Sequence, residues 1–233
     1  MSQKPILLKK DASSFDGMHD QVVLDNCHLS NVTPLKKFIV FEGIGGCGKG
    51  TQIEKIEEWL VKNGKKVLVT REHTRDTPIG QLIERTIKKQ EEGVDPVALQ
   101  LMFVADRANH TVRVIKPALE VFDYVLGDRY EASTFSYAPV EKRDYFLTVN
   151  RGITLRPDLT CIIDLDPEEA VKRVNHKNDV DIFDEVETMR KCQQSYRWYF
   201  DNSGWPCAWL DGSGSREEVF ERIKAEIQRR GML

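Results

Sequence analysis

The sequence predicts an α/β domain built on a doubly wound, five-stranded parallel sheet. Two observations lead to this fold class. Apolar runs of four to six residues recur from Phe38 onward, and longer segments with helical periodicity separate them. Runs this short suit strands that are covered on both faces, as in a parallel sheet between two layers of helices. Ligands of such sheets bind outside the carboxyl ends of the strands.

The strands and the first helix follow in order along the chain. The helix begins at Gly48, places Ile53, Ile56 and Leu60 on one apolar stripe, and ends at Asn63-Gly64, where glycine suits the left-handed cap. The candidate strands are Phe38–Glu42, Lys66–Thr70, Tyr124–Gly127, Thr160–Leu165 and Cys207–Leu210.

Three later helices carry start signals. Asp95-Pro96 and Asp166-Pro167 each combine an N-cap residue with proline at the first helical position. Ser215 and Glu218 form a capping box at the start of the last helix. These signals place the starts of three helices between or after the candidate strands.

Composition excludes several classes of protein. The chain has 233 residues, 40% hydrophobic and 30% charged, with a net charge of −3. This balance excludes disordered and collagen-like chains and gives no general attraction to nucleic acid or membranes. The longest apolar run, Leu101–Ala105, is far too short to span a bilayer. The N-terminus also lacks the apolar stretch of a signal peptide, so we expect a cytoplasmic protein. Five scattered cysteines without a Cys-x-x-Cys pair predict reduced thiols and no structural metal.

Residues 1–37 form a polar extension ahead of the domain at 38–233. Pro5, Gly17 and Pro34 interrupt it, and no helical or strand period is sustained. We predict a mobile tail, with pairing of Val22–Leu24 as an edge strand as the alternative.

A glycine-rich segment follows the first strand and opens the first helix. It fits the pattern G-x-x-x-x-G-K in the strand-to-helix context that a phosphate loop requires. Backbone amides of such a loop surround phosphate oxygens, and the lysine reaches the terminal phosphates. The alternative is a glycine-rich turn that binds nothing. The predicted ATP-binding residues are Gly43, Ile44, Gly45, Gly46, Cys47, Gly48, Lys49, Gly50 and Thr51.

Further motifs resemble those of thymidylate kinases, a family of P-loop nucleoside monophosphate kinases. The resemblance runs from about Phe38 to the C-terminus and rests on several motifs in order. These are Phe38–Gln52 (FIVFEGIGGCGKGTQ), Arg71–Gly80 (REHTRDTPIG), Leu101–Arg107 (LMFVADR), Gly127–Thr134 (GDRYEAST), and Pro157–Thr160 with Asp164–Ala170.

The resemblance implies transfer of the γ-phosphoryl group of ATP to dTMP with Mg²⁺, giving ADP and dTDP. Such a reaction gathers negative charge, so its catalyst consists mainly of Lys, Arg, Mg²⁺ and backbone amides. By resemblance, Lys49 would hold ATP, Arg75 and Arg129 the acceptor phosphate, and Asp128 with Thr51 the magnesium ion.

The same resemblance implies that five residues bind the nucleoside part of the acceptor. Phe103 would stack on the base and Arg107 would contact it, while Ser133, Thr134 and Tyr137 would line the pocket. Three of these have structural alternatives: Phe103 as core, Tyr137 as packing, and Arg107 in a surface ion pair with Asp106.

Several positions depart from the family pattern. Gly45 stands where the family usually has Asp or Glu, which would meet a sugar hydroxyl or a cation. Ala138 replaces a polar amide, and His73 replaces a proline. In the general phosphate-loop pattern, Gly50 stands where Ser or Thr would meet magnesium, with Thr51 immediately after it.

A lid is expected at about 174–184. The phosphate loop lacks the arginine that some family members carry there, so the resemblance implies that Arg173 or Lys177 at the lid would supply the cation. A solvent-exposed loop without a catalytic part is the alternative.

Two rival functions remain open at this point. One is a kinase for another pyrimidine monophosphate such as dUMP, and the other is a nucleotide-binding regulator with weak catalysis. The resemblance also implies a homodimer.

Overall fold

The five predicted strands form one sheet in which all neighbouring strands are parallel. The computed structural model describes residues 37–175 and 181–233. The spatial order is β2-β3-β1-β4-β5, so β1 lies at the centre. Each strand begins and ends within one residue of its prediction. The strands are β1 (Lys37–Glu42), β2 (Val67–Arg71), β3 (Tyr124–Asp128), β4 (Leu159–Asp164) and β5 (Cys207–Asp211).

The described residues also form nine α-helices. A π-helical turn at Thr111–Ile115 joins the third to the fourth, and a 3-10 turn at Val140–Lys142 precedes the sixth. The helices are α1 (Lys49–Lys62), α2 (Pro78–Ile87), α3 (Pro96–His110), α4 (Lys116–Val121), α5 (Glu131–Tyr137), α6 (Arg143–Ile153), α7 (Pro167–Asn175), α8 (Val186–Asn202) and α9 (Arg216–Arg229).

Burial on both faces holds for the three inner strands only. β1, β3 and β4 are almost entirely buried, whereas β2 and β5 keep partly exposed residues. Val69 of β2, for example, is 37% exposed. The expectation of complete burial is therefore wrong for the two edge strands, since each has a neighbour on one side only.

The central strand divides the core into two layers. Ile39 and Phe41 pack into a large cluster with residues of α1, α8 and α9, whereas Phe38 and Val40 pack into a smaller one that includes Ile115. This alternation is the two-residue period of a strand. Because β1 is covered on both faces, its carboxyl end is held firmly against those of β3 and β4.

The predicted helix starts are confirmed. Asp95 accepts a hydrogen bond from the N–H of Val97 at 2.8 Å, and Asp166 accepts one from the N–H of Glu168 at 2.9 Å. Ser215 opens α9 with a complete capping box. No helix in the described part of the chain is long and apolar enough to cross a membrane.

The N-cap of α3 gives a test of this local structure. Replacing Asp95 by alanine removes the acceptor at the start of α3, so the free energy of unfolding should fall by about 1 kcal/mol. Asp95→Asn should stay close to the wild type, because asparagine caps helices about as well as aspartate. Urea unfolding followed by circular dichroism measures both, and equal losses in the two variants would contradict the capping role.

Candidate active site

The phosphate loop, residues 43–51, connects β1 to α1 as predicted. Gly43 and Gly46 have φ angles of +137° and +73°, which other residues rarely adopt. A Cβ atom at Gly43 would lie 2.5 Å from the carbonyl oxygen of Ile163, and one at Gly46 would lie 2.3 Å from that of Ala170. The loop therefore needs glycine both for its conformation and for its close approach to β4 and α7.

Lys49 is buried at the centre of the loop. Its ammonium group donates to the carbonyl oxygens of Gly43 at 3.0 Å and Ile44 at 2.9 Å, and lies 3.6 Å from the buried Cys47 sulfur. Burial lowers the pKa of Lys49, and the positive charge of Arg129 lowers it further. An anion bound in the loop would offset both effects.

Arg129 joins the loop to the neighbouring cleft. Its φ angle is +72°, and its backbone N–H donates to the Phe41 carbonyl at 3.0 Å. The guanidinium donates to the Gly43 carbonyl at 3.3 Å and to the Ser133 hydroxyl at 3.1 Å, and lies 5.4 Å from the centre of the Tyr137 ring. One cation thus borders both the loop and the cleft.

Asp128 ends β3 opposite Phe41 of β1. Its Oδ1 atom is buried without a hydrogen-bond partner among the described residues, and Oδ2 lies 3.9 Å from the guanidinium of Arg71. Thr51 lies in the first turn of α1 and is partly exposed. An uncommitted carboxylate oxygen beside a phosphate loop fits Mg²⁺, which binds one or two protein oxygens together with phosphates and water.

A cleft with a cavity volume of about 150 Å³ opens beside Gly45 of the loop. All seven residues predicted to bind the acceptor line it, although they come from three separate regions of the chain. The structure thus brings these residues together, while their individual roles remain predictions. They are Arg75, Phe103, Arg107, Arg129, Ser133, Thr134 and Tyr137.

Comparison with known families identifies this arrangement. A family model described as thymidylate kinase matches residues 41–223, which include the loop and every residue of the cleft. The chain belongs to the thymidylate kinase family. It is therefore a phosphotransferase, and its resemblance to this family is confirmed.

Curated relatives agree with the family model. A probable thymidylate kinase of Thermococcus onnurineus is 37% identical over 68% of this chain and 82% of its own length. A probable thymidylate kinase of Methanosarcina acetivorans is 31% identical over 82% and 95%, respectively. A thymidylate kinase of Halothermothrix orenii is 34% identical over 82% and 96%.

Arg107 is fixed by four hydrogen bonds at the cleft of this thymidylate kinase family member. Its Nε donates to Glu72 at 2.7 Å, Nη1 donates to Thr134 at 2.8 Å and Asn150 at 2.5 Å, and Nη2 donates to the Tyr130 carbonyl at 2.8 Å. A guanidinium has five N–H groups. One N–H of Nη2 is therefore left over from these contacts for a ligand.

The alternative interpretation of Arg107 is wrong. Arg107 is only 1% exposed, so it does not form a surface ion pair with Asp106. Asp106 instead accepts from the N–H of Thr74 at 2.8 Å and lies within 3.2 Å of the Thr77 hydroxyl. His110 completes the network because its Nδ1 lies 3.0 Å from Glu72.

Phe103 and Tyr137 serve both the cleft and the packing of the protein. Phe103 borders an apolar cluster that includes Ile83, and its ring meets His73 edge-on at 5.7 Å. Tyr137 meets Phe183 edge-on at 4.8 Å. Stacking on a base and packing in the core are therefore not exclusive for these two side chains.

Ser133 is anchored to a buried carboxylate. Its hydroxyl donates to Glu42 at 2.6 Å and its backbone N–H donates to the same group at 3.1 Å. Tyr196 donates to Glu42 at 3.1 Å. Burial raises the pKa of Glu42, whereas the bond from Ser133 and the charge of Arg129 act in the opposite direction.

His73 fills the position of the family proline at the edge of the cleft. The Glu72–His73 peptide is cis, and the His73 ring lies 2.7 Å from Glu84. Burial lowers the pKa of His73 although Glu84 raises it. Arg75 follows two residues later, is more than half exposed, and lies 3.9 Å from Glu84. Its guanidinium thus remains accessible at the cleft.

Other polar residues lie in the cleft, although Gly45 and Ala138 replace a carboxylate and an amide of the family pattern. Ala138 packs against Val104 and Phe146 rather than lining the cleft. Gln100 does line it, and the amide oxygen of this buried residue has no hydrogen-bond partner in the described chain. At Gly45, an added Cβ would lie 2.7 Å from a carboxylate oxygen of Asp184.

The lid is only partly within the described residues. Arg173 lies on α7 and forms an ion pair with Glu169, and it is not among the residues that line the cleft. Its role as an ATP-binding cation stays a prediction. Lys177, the other candidate, lies outside the described residues.

Sequence analysis missed several polar residues of the cleft wall. Glu72, Gln100, Asp181 and Asp184 all line the cleft, and none was singled out. Glu72 lies within a recognised motif, so its position in REHTR was the available signal. Asp181 and Asp184 lie within the lid expected at about 174–184, although no role was predicted for either, and Gln100 carried no signal because only the fold brings it to the cleft.

The Glu72 network can be tested by stability. Glu72→Gln leaves the buried guanidinium of Arg107 without its counter-ion, so the free energy of unfolding should fall by about 3–5 kcal/mol. Glu84→Gln is the matched control, since Glu84 also pairs with a histidine but is 32% exposed, and its loss should stay within about 1 kcal/mol. Chemical denaturation compares them, and similar losses would contradict the network's importance.

Proposed function

We propose that the protein transfers the γ-phosphoryl group of ATP to dTMP, giving ADP and dTDP. The continuity between the phosphate loop and the acceptor cleft carries this proposal. Arg129 contacts Gly43 of the loop and Ser133 of the cleft, so two phosphate groups bound on either side would share one guanidinium. Family membership supports the same reaction.

The donor would bind through the loop amides and Lys49. The N-terminus of a 14-residue helix, α1, adds positive potential at the same point. Arg75 and Arg129 would hold the acceptor phosphate, because a planar guanidinium binds two phosphate oxygens at once. The acceptor phosphate is itself the nucleophile, so the reaction needs no general base.

Mg²⁺ is part of this proposal. Asp128 would supply the carboxylate, directly or through water, and Thr51 the hydroxyl. The described residues contain no group of three or more His, Cys, Asp or Glu side chains that would hold an ion alone. Bound magnesium neutralises phosphate charge in such transfers.

The base would lie between Phe103 and the buried polar residues of the cleft. The remaining N–H of Arg107 can donate to a carbonyl of the base, and the unpartnered oxygen of Gln100 can accept from a base N–H. Thymine carries both kinds of group. This complementarity supports a pyrimidine that has an N3–H.

We also propose a cytoplasmic homodimer, as the family resemblance implies. Exposed apolar side chains on and after α3 support a contact surface there, namely Leu101, Val112, Val114 and Val121. Light scattering of the purified chain measures its mass directly.

The acceptor is tested with a panel of monophosphates. ADP formation from ATP and Mg²⁺ should be fastest with dTMP among dTMP, dUMP, dCMP, UMP, CMP, dGMP and AMP, measured against a reaction without acceptor. Preference for dUMP would move the assignment to another pyrimidine kinase. Binding without turnover would indicate a regulator instead.

Lys49→Ala tests the donor site. Loss of the ammonium group should lower kcat by at least about 10²-fold, because a preorganised charge at the phosphates disappears. Lys55→Ala, a lysine of the same helix that pairs with Glu217, is the matched control and should keep its activity. Turnover that survives in Lys49→Ala would rule out this role of the loop.

A further inference from the structure

Three oxygens of the protein hold Arg129 by one nitrogen of its guanidinium group. Nη1 donates to the Gly43 carbonyl at 3.3 Å, to the Ser133 hydroxyl at 3.1 Å and to the Tyr196 hydroxyl at 3.5 Å. Because a guanidinium is planar and rigid, the contacts of Nη1 decide where its other N–H groups point. The residues that hold these three oxygens in place therefore also aim the cation that the proposed reaction needs.

A buried carboxylate orients two of the three oxygens. Oε2 of Glu42 accepts from the Ser133 hydroxyl at 2.6 Å and from the Tyr196 hydroxyl at 3.1 Å. Each hydroxyl has one proton, so both present only lone pairs to other donors. Burial raises the pKa of Tyr196 well above its usual range, which keeps the proton on this hydroxyl. Arg129 thus meets two oxygens that can only accept.

The carboxylate reaches Arg129 through these hydroxyls. Its other oxygen, Oε1, accepts from the backbone N–H of Tyr130 at 2.8 Å and from that of Ser133 at 3.1 Å. Both oxygens of Glu42 are therefore occupied by uncharged donors. A direct ion pair would instead compete with phosphate for the N–H groups of Arg129, since carboxylate and phosphate bind a guanidinium in the same way.

Tyr196 brings a distant part of the chain to Arg129. It lies on α8, 67 positions after Arg129. Its side chain is 1% exposed, and its ring meets that of Tyr137 edge-on at 6.4 Å. Core packing thus fixes the ring and, with it, the position of the hydroxyl.

Tyr196 is not among the residues that line the cleft, so its hydroxyl would act on a substrate only through another residue. We propose that Tyr196 is a positioning residue whose hydroxyl, oriented by Glu42, holds the Arg129 guanidinium where it meets the acceptor phosphate. This inference rests on the proposed function. It predicts that the hydroxyl strengthens the binding of the phosphate and leaves that of the nucleoside unchanged.

The experiment compares dTMP with thymidine, which lacks the phosphate. Calorimetry gives both Kd values, and the ratio of the thymidine Kd to the dTMP Kd measures what the phosphate contributes. In Tyr196→Phe this ratio should fall by about threefold to tenfold, the size of one hydrogen bond, while the thymidine Kd stays at its wild-type value. Equal weakening of both ligands would mean a general disturbance of the cleft and would overturn the positioning role.

Tyr199→Phe is the matched control. Tyr199 lies on the same helix, is also 1% exposed, and donates to a different buried carboxylate, Glu131, at 3.0 Å. This variant should keep the wild-type ratio. A similar fall in both variants would show that the loss of any buried hydroxyl from α8 has this effect, against the inference.

Glu42→Gln is a second route that keeps the Tyr196 hydroxyl. The amide oxygen can accept from the backbone N–H groups, whereas the NH2 group donates towards the hydroxyls of Ser133 and Tyr196. Their protons then turn towards Arg129, so the ratio should fall here too. An unchanged ratio would contradict the inference, even if Tyr196→Phe does not fold.

Arg129→Ala shows whether the hydroxyl acts through Arg129. The ratio should already be low in this background, and adding Tyr196→Phe should lower it no further. An additional fall would mean that Tyr196 acts by another route.

These outcomes are separable from those of the proposed function. No ADP formation from dTMP by the wild type would overturn the proposed function. Normal wild-type turnover, together with an unchanged ratio in Tyr196→Phe, would overturn the role of Tyr196 alone.

Discussion

Two buried carboxylates, Glu42 and Glu72, are the constraint on which the cleft depends. Glu72 pairs with Arg107 and contacts His110, and Glu42 accepts hydrogen bonds from the Ser133 backbone and hydroxyl. Both carboxylates are at most 4% exposed. They fix the walls of a cleft that Arg75, Arg107 and Arg129 line, and fixed donors need little reorganisation when charge develops on a ligand.

The three arginines of the cleft differ in how many of their N–H groups bind to the protein. Four of the five N–H groups of Arg107 donate to other residues of the protein. Its guanidinium is therefore held in place in the wall of the cleft, with one N–H left for a ligand. Arg75 is more than half exposed, and the guanidinium of Arg129 donates to the Gly43 carbonyl and to the hydroxyls of Ser133 and Tyr196. Their charge is less fully offset, which suits them to phosphate.

The sequence predicted the strands and helices more completely than the residues that line the cleft. Strands and helix starts depend on neighbours in the chain, such as Asp95 with Val97, and these are visible in a short window. The contact of Glu72 with Arg107 joins residues 35 positions apart, and that of Glu42 with Tyr196 joins residues 154 positions apart. Such pairs meet only when the strands and helices have assembled, so a short stretch of sequence does not reveal them. Family motifs identified Arg107 and Ser133 but not the groups that hold them.

The departures at Gly45 and Ala138 illustrate the same limit. Taken one position at a time, each removes a polar group from the site. In the fold, Asp184 lies where a side chain at Gly45 would be, and Gln100 brings an amide to the cleft. A site is defined by the groups that surround a volume, and those groups can come from different elements. The loss of a family residue therefore predicts a loss of function only after the neighbours of its position are known.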